Sequence, residues 1–136
     1  VINDGVHSNY NSVKVAYKCM KGRLYFVSDA SFIDQAIEEF YFEGNKIVTK
    51  NGQAYTEAGA LAGSVITMQD SLKNAVEKVG IPLEDAVLMT SYIPAEMLGL
   101  QDTLGVIKKG SSSKLNMLDK DLNYIAVTKG EELIQA

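Results

Sequence analysis

Two side chains in this sequence are of types that move protons, and both stand where a strand gives way to a loop. Asp29 closes the run Leu24-Tyr25-Phe26-Val27-Ser28-Asp29-Ala30, with small residues on either side of the carboxylate. His7 follows the turn signal Asp4-Gly5. A carboxylate can take a proton from an attacking water and return it to a leaving group, and an imidazole works near neutral pH as a hydrogen-bonding or proton-carrying partner. Parallel α/β folds do their chemistry at the C-terminal edge of the sheet, the position these residues would occupy. Each also has a plainer reading. An aspartate at a strand end can simply cap the next turn in solvent, and a lone histidine can be a satisfied surface or core residue.

Certain elements must position the pair. Leu24 to Val27 is a short apolar run with aromatic and β-branched content after Gly22, which predicts a strand buried on both faces. Val1-Ile2-Asn3 is a stub of another strand. Between them Asn11 to Met20 carries Val13, Ala16, Tyr17 and Met20 at helical spacing, with Gly22 placed to stop the helix. Strand, helix, strand with short connections implies a right-handed crossover and parallel strands, so His7 and Asp29 open on the same edge.

The remainder is scaffold and loops. Ser31 to Tyr55 is an excursion. Alternation at Glu38, Phe40 and Phe42, and again at Lys46 and Val48, predicts a hairpin about Gly44-Asn45, with a further turn at Asn51-Gly52. It suits a solvated flap, and a flap beside an active edge can also cover substrate. Ser64 is placed as the N-cap of a helix running through Leu72, Val76 and Val79 to Gly80. Pro82 opens the next helix, with Glu84 and Asp85 near its N-terminus, and a third runs from Tyr92 to Gly99. Val106-Ile107, Leu115 to Leu118 and Tyr124 to Val127 read as short strands of a second layer.

Composition narrows the function classes. At 136 residues, 46% hydrophobic and 22% charged, the chain can bury a core and is ordinary globular material. A net charge of −4 gives no electrostatic footprint for nucleic acid or an anionic membrane. The single cysteine, Cys19, excludes an internal disulfide and fits a reducing, cytoplasmic setting. One histidine and one cysteine cannot form a zinc site of the usual kind. There is no phosphate-binding loop and no nucleophile elbow. The opening Val1-Ile2 has the look of a chain entered mid-strand, so a piece of a longer protein is expected.

Spread over nearly the whole length are Asp4-Gly5-Val6-His7, Val27-Ser28-Asp29-Ala30, Leu61-Ala62-Gly63-Ser64-x-x-Thr67-Met68, Val79-Gly80-Ile81-Pro82-Leu83-Glu84, Pro94-Ala95, Leu98-Gly99-Leu100 and Leu104-Gly105-x-Ile107-x-x-Gly110. In order and spacing this series resembles the C-terminal third of the N-acetylglucosamine-6-phosphate deacetylase family, within the amidohydrolase superfamily. The Leu-Ala-Gly-Ser-x-x-Thr-Met segment is its most specific part. The Gly-x-Ile-x-x-Gly tail is common to many amidohydrolases.

The resemblance implies an α/β fold: the last two strands and helices of a metal-dependent (β/α)8 barrel over residues 1–103, then C-terminal strands of a small β-sandwich over 104–136. It implies removal of the acetyl group from N-acetylglucosamine 6-phosphate. Asp29 matches the aspartate that acts as general base and then general acid. Asp4, Gly5 and His7 match substrate-contacting positions, and Leu61, Ala62 and Gly63 match a loop lining the sugar site. A divalent metal, zinc or iron, is implied for the longer protein, held by upstream residues. This stretch has no metal ligand to offer except Asp29, and is expected to bind none and to be inactive alone. The implied partners are an amino-sugar phosphate and further copies of the same protein, with no nucleic acid and no membrane. Ser28 stands where the family usually has Thr, Ser8-Asn9 replaces an apolar residue and Pro, and Ser112-Ser113-Lys114-Leu115 departs from Ala-Asp-Leu. Two alternatives stay open: another amidohydrolase, either a deaminase or a different N-acyl deacetylase, and a non-catalytic, self-associating chain.

Overall fold

The computed structural model describes residues 1–20, 22–30, 37–50, 53–129 and 132–135. In chain order they form helix α1 (Tyr10–Met20), strands β1 (Glu39–Phe42), β2 (Asn45–Lys50) and β3 (Gln53–Thr56), helices α2 (Met68–Asn74), α3 (Leu83–Thr90) and α4 (Tyr92–Met97), and strands β4 (Asn116–Leu118), β5 (Tyr124–Lys129) and β6 (Glu132–Gln135). The strands make two antiparallel sheets of order β1-β2-β3 and β4-β5-β6. No helix among the described residues is long and apolar enough to cross a membrane.

The main core gathers Val13 of α1, Leu24 and Phe26, Leu72 of α2, and Met89 and Ile93 of the following helices. Phe26, only 2% exposed, is the largest fully buried side chain. Neither the segment around it, expected as a strand from Leu24 to Val27, nor Val1 to Asn3 is among the strands formed, because one rung of pairing joins them and no ladder follows. The segment also departs from the two-sided burial expected. Leu24 and Phe26 are buried, whereas Val27 is 41% exposed and Tyr25 half-buried. Successive side chains of extended backbone point to opposite faces: Leu24 and Phe26 enter the core, Tyr25 reaches its margin, and Val27 is left open.

Val1 donates its N–H to the Tyr25 carbonyl at 2.7 Å, and Val27 donates back to the Val1 carbonyl at 3.1 Å. This exchange is one rung of parallel pairing, with Val1 opposite Phe26. On the other edge the Phe26 N–H donates at 3.0 Å to the Met89 carbonyl of α3. Buried Asn3 then ties the first segment to α2. It donates through Nδ2 to the Ser71 carbonyl, and its own carbonyl accepts from Asn74. Beyond Asn74 the helix widens into a π turn, Ala75–Val79, ending at Gly80. Asn3 therefore joins the carbonyl ladder of α2 just before that widening.

Several local expectations need correction. Ser64 is not the N-cap of α2. Thr67 is, in a capping box: its hydroxyl accepts from the Asp70 N–H, and the Asp70 carboxylate accepts from the Thr67 N–H. The hairpin pairs Phe42 with Asn45, so its turn is Glu43-Gly44 rather than Gly44-Asn45, and a third strand, β3, extends the sheet. The turn expected at Asn51-Gly52 and the start of the excursion at Ser31 lie outside the described residues. Val106-Ile107 is not a strand. Gly105 takes φ +75° with no room for a side chain against the Tyr92 backbone, and Lys108 to Ser111 closes a turn, leaving Ile107 85% exposed. The tail sheet gains β6 and holds to α2 through Gln69, which donates to the Leu122 carbonyl, and Lys73, which donates to Asn123.

Candidate active site

The first element of the site is the Asp4–His7 pair. Asp4 Oδ1 accepts from the N–H groups of Val6 and His7, both at 2.9 Å, which folds the backbone into a tight turn. Asp4 Oδ2 meets His7 Nδ1 at 2.6 Å, with both side chains largely buried. Burial pushes the Asp4 carboxyl up. The His7 ring, the two backbone donors and the His7 charge outweigh it and hold Asp4 below its ordinary value of 3.8. Asp4 therefore looks inward to His7, as an orienting group. Gly5, at φ +81°, lies against the Tyr10 ring, and a Cβ there would sit 2.8 Å from it. Ser8-Asn9, where the sequence departs from the family pattern, begins α1: Asn9 Oδ1 accepts from the Asn11 N–H.

Asp29 is the second element. Its side chain is exposed in this chain, and its backbone takes φ +48°. A left-handed conformation at a residue with a Cβ costs roughly 1–2 kcal/mol and persists only where neighbouring structure enforces it. The parallel pairing seen at Val1 and Phe26 is a single rung, and the Asn3 carbonyl turns instead to Asn74.

The segment Leu61 to Ser64 is the third. Ser64 pairs in parallel with Ala30, Leu61 pairs with Tyr55 of β3, and Ala62 donates to the Ala54 carbonyl. The candidate loop residues Leu61, Ala62 and Gly63 therefore bridge the three-stranded sheet and the segment that bears Asp29. Ile47, Ala54 and Val65 form a small core beneath. The flap is thus joined to the segment it flanks. Ser64, 1% exposed, was not among the expected site residues, although it closes the Leu-Ala-Gly-Ser motif. Its proximity to Asp29 depends on a pairing between segments far apart in sequence, and its hydroxyl makes it look like a helix cap. Among the described residues no three of His, Cys, Asp and Glu converge on one point.

The chain as a whole is similar to known proteins. The amidohydrolase family model matches residues 1–134, and the chain belongs to that family. Within it, the chain is similar to N-acetylglucosamine-6-phosphate deacetylase of Haemophilus influenzae, 40% identical over 92% of this chain and 34% of the relative. N-acetylgalactosamine-6-phosphate deacetylase of a Shewanella strain is 34% identical over 100% of this chain and 35% of its own length. The crystal structure of N-acetylglucosamine-6-phosphate deacetylase from Pasteurella multocida superposes on the whole chain with a TM-score of 0.93, at 33% identity and over 36% of that protein. The chain spans about a third of the length of each of these three proteins.

Proposed function

We propose that this chain forms part of a deacetylase acting on N-acetylglucosamine 6-phosphate, giving glucosamine 6-phosphate and acetate. The carrying observation is the parallel Ala30–Ser64 bridge, which sets the Leu61–Ser64 segment beside the exposed carboxylate of Asp29, and the ring of His7 held by Asp4 supports the same reading. Hydrolysis of an acetamide needs a group that removes a proton from water as it attacks, and a proton for the nitrogen as it leaves. Asp29 serves both steps in turn. With Nδ1 engaged by Asp4, His7 presents Nε2 to the substrate, as an acceptor for a sugar hydroxyl when the ring is neutral and as a donor when it is protonated. Leu61, Ala62 and Gly63 form a wall of the sugar site. Asp4 and Gly5 shape the turn that aims His7.

Members of the family generally work with a divalent metal, here zinc or iron, drawn mainly from ligands outside this chain. When bound, such an ion would lower the pKa of a water it holds and polarise the acetamide carbonyl. In the wider architecture residues 1–103 supply two strands and their helices to a (β/α)8 barrel, and residues 104–136 supply strands to a small sandwich. The parallel rung, the Ala30–Ser64 bridge and the separate β4-β5-β6 sheet support this division. The protein acts in the cytoplasm as a homo-oligomer.

The Shewanella relative favours a second substrate, the galacto epimer. An acetate-release assay on the full-length protein, with both N-acetylhexosamine 6-phosphates and unphosphorylated N-acetylglucosamine, tests the proposal. Faster release from N-acetylglucosamine 6-phosphate is expected. Preference for the epimer would reassign the substrate, and no release from either phosphate would overturn the deacetylase reading.

A further inference from the structure

We propose that Ser64 is the residue that positions Asp29, by fixing both peptide groups that flank it. The proposal rests on the reading of Asp29 as proton carrier. The Ser64 N–H donates to the Asp29 carbonyl at 2.8 Å, and its hydroxyl donates to the Ser28 carbonyl. The first carbonyl belongs to the peptide after Asp29, the second to the peptide before it. Holding both planes leaves Asp29 no freedom in φ and ψ, and so sets the direction of its Cα–Cβ bond. Asp29 needs such a restraint, because its φ of +48° is one that L side chains avoid. The Ser64 hydroxyl is also held from behind, accepting from the Ile66 N–H at 3.2 Å. Ser64 itself is 1% exposed, so its hydroxyl works from within the fold on a residue that faces solvent. Removing the hydroxyl strands the Ile66 donor and loosens the Ser28 peptide, while leaving the Ser64 N–H in place.

A clamp of this kind acts on the reacting group and not on substrate affinity. In the full-length protein Ser64→Ala is expected to lower kcat about 10–100-fold, the range seen when a supporting hydrogen bond behind a site is removed, with KM unchanged. Ser64→Thr keeps both donors and is expected to recover most of kcat. The HN–Hα coupling of Asp29, read by NMR with labelled aspartate, is expected to leave its left-handed value in Ser64→Ala while the couplings of α1 stay put. Wild-type kcat in Ser64→Ala, or an Asp29 coupling that does not move, would overturn the proposal. If Asp29→Asn retains full turnover, the role given to Asp29 falls, and the coupling measurement still decides whether Ser64 sets its backbone.

Discussion

At the scale of residues, the Asp4–His7 pair converts a solitary histidine into an aimed one. Asp4 is held below its ordinary value of 3.8 in the fold, so its carboxylate favours folding above that value, and the contribution is lost as pH falls through the lowered one. His7 is therefore expected to keep its orientation at and above pH 4 and to lose it only in stronger acid, as followed by its ring resonances. Asp4→Asn keeps the turn acceptor and removes the charged partner of Nδ1. A rise in KM for the sugar phosphate of about 10-fold, with kcat less affected, is expected from such a change behind a substrate-contacting ring. An unchanged KM would show that Asp4 does not aim His7 at substrate. His7 and Asp29 could both be picked out in the sequence because side-chain chemistry and the end of an apolar run are local signals. Ser64 could not, because what matters is which carbonyls it meets.

At the scale of elements, the packing of Phe26 joins α1, α2 and α3 to the segment that carries Asp29. Phe26→Ala is expected to destabilise the fold by about 3–5 kcal/mol, read as a lower denaturation midpoint at unchanged denaturant slope. Gly105→Ala is also expected to be costly, since the new Cβ would lie 2.7 Å from the Tyr92 Cα, a backbone atom that cannot swing aside. A thermal midpoint within error of wild type would contradict that packing. The helices were legible in the sequence because apolar spacing is written within each one, as at Val13, Ala16 and Tyr17 of α1, although the cap of α2 is Thr67 and not Ser64. The strands were less so. Val106-Ile107 has strand composition, but Gly105 wedged against Tyr92 turns it into a bend. β3 and β6 are short segments whose strand character comes from a neighbour. The Glu43-Gly44 turn shows how a one-residue shift escapes a pattern that marks only the turn's neighbourhood.

At the scale of the whole molecule, the extended segment that carries Phe26 leaves Val27 41% exposed, next to exposed Asp29. In the proposed barrel this exposed side looks inward, toward elements the relatives hold in the other two thirds of their length. Prepared by itself, the chain is expected to self-associate through such apolar surface, with a light-scattering mass that rises with concentration; a monomer at high concentration would count against the open-face account. Prepared alone it is also expected to release no acetate, since no three of His, Cys, Asp and Glu converge on one point among its described residues. The sequence carried the family because its motifs extend along the chain, but not the depth of the site, which depends on residues beyond it. The central claim, that Asp29 carries the proton in amide hydrolysis, is tested most directly by the turnover of Asp29→Asn in the full-length protein at saturating N-acetylglucosamine 6-phosphate. The account predicts a fall in kcat of about 10²–10⁴-fold with substrate binding retained. Turnover equal to wild type would contradict it.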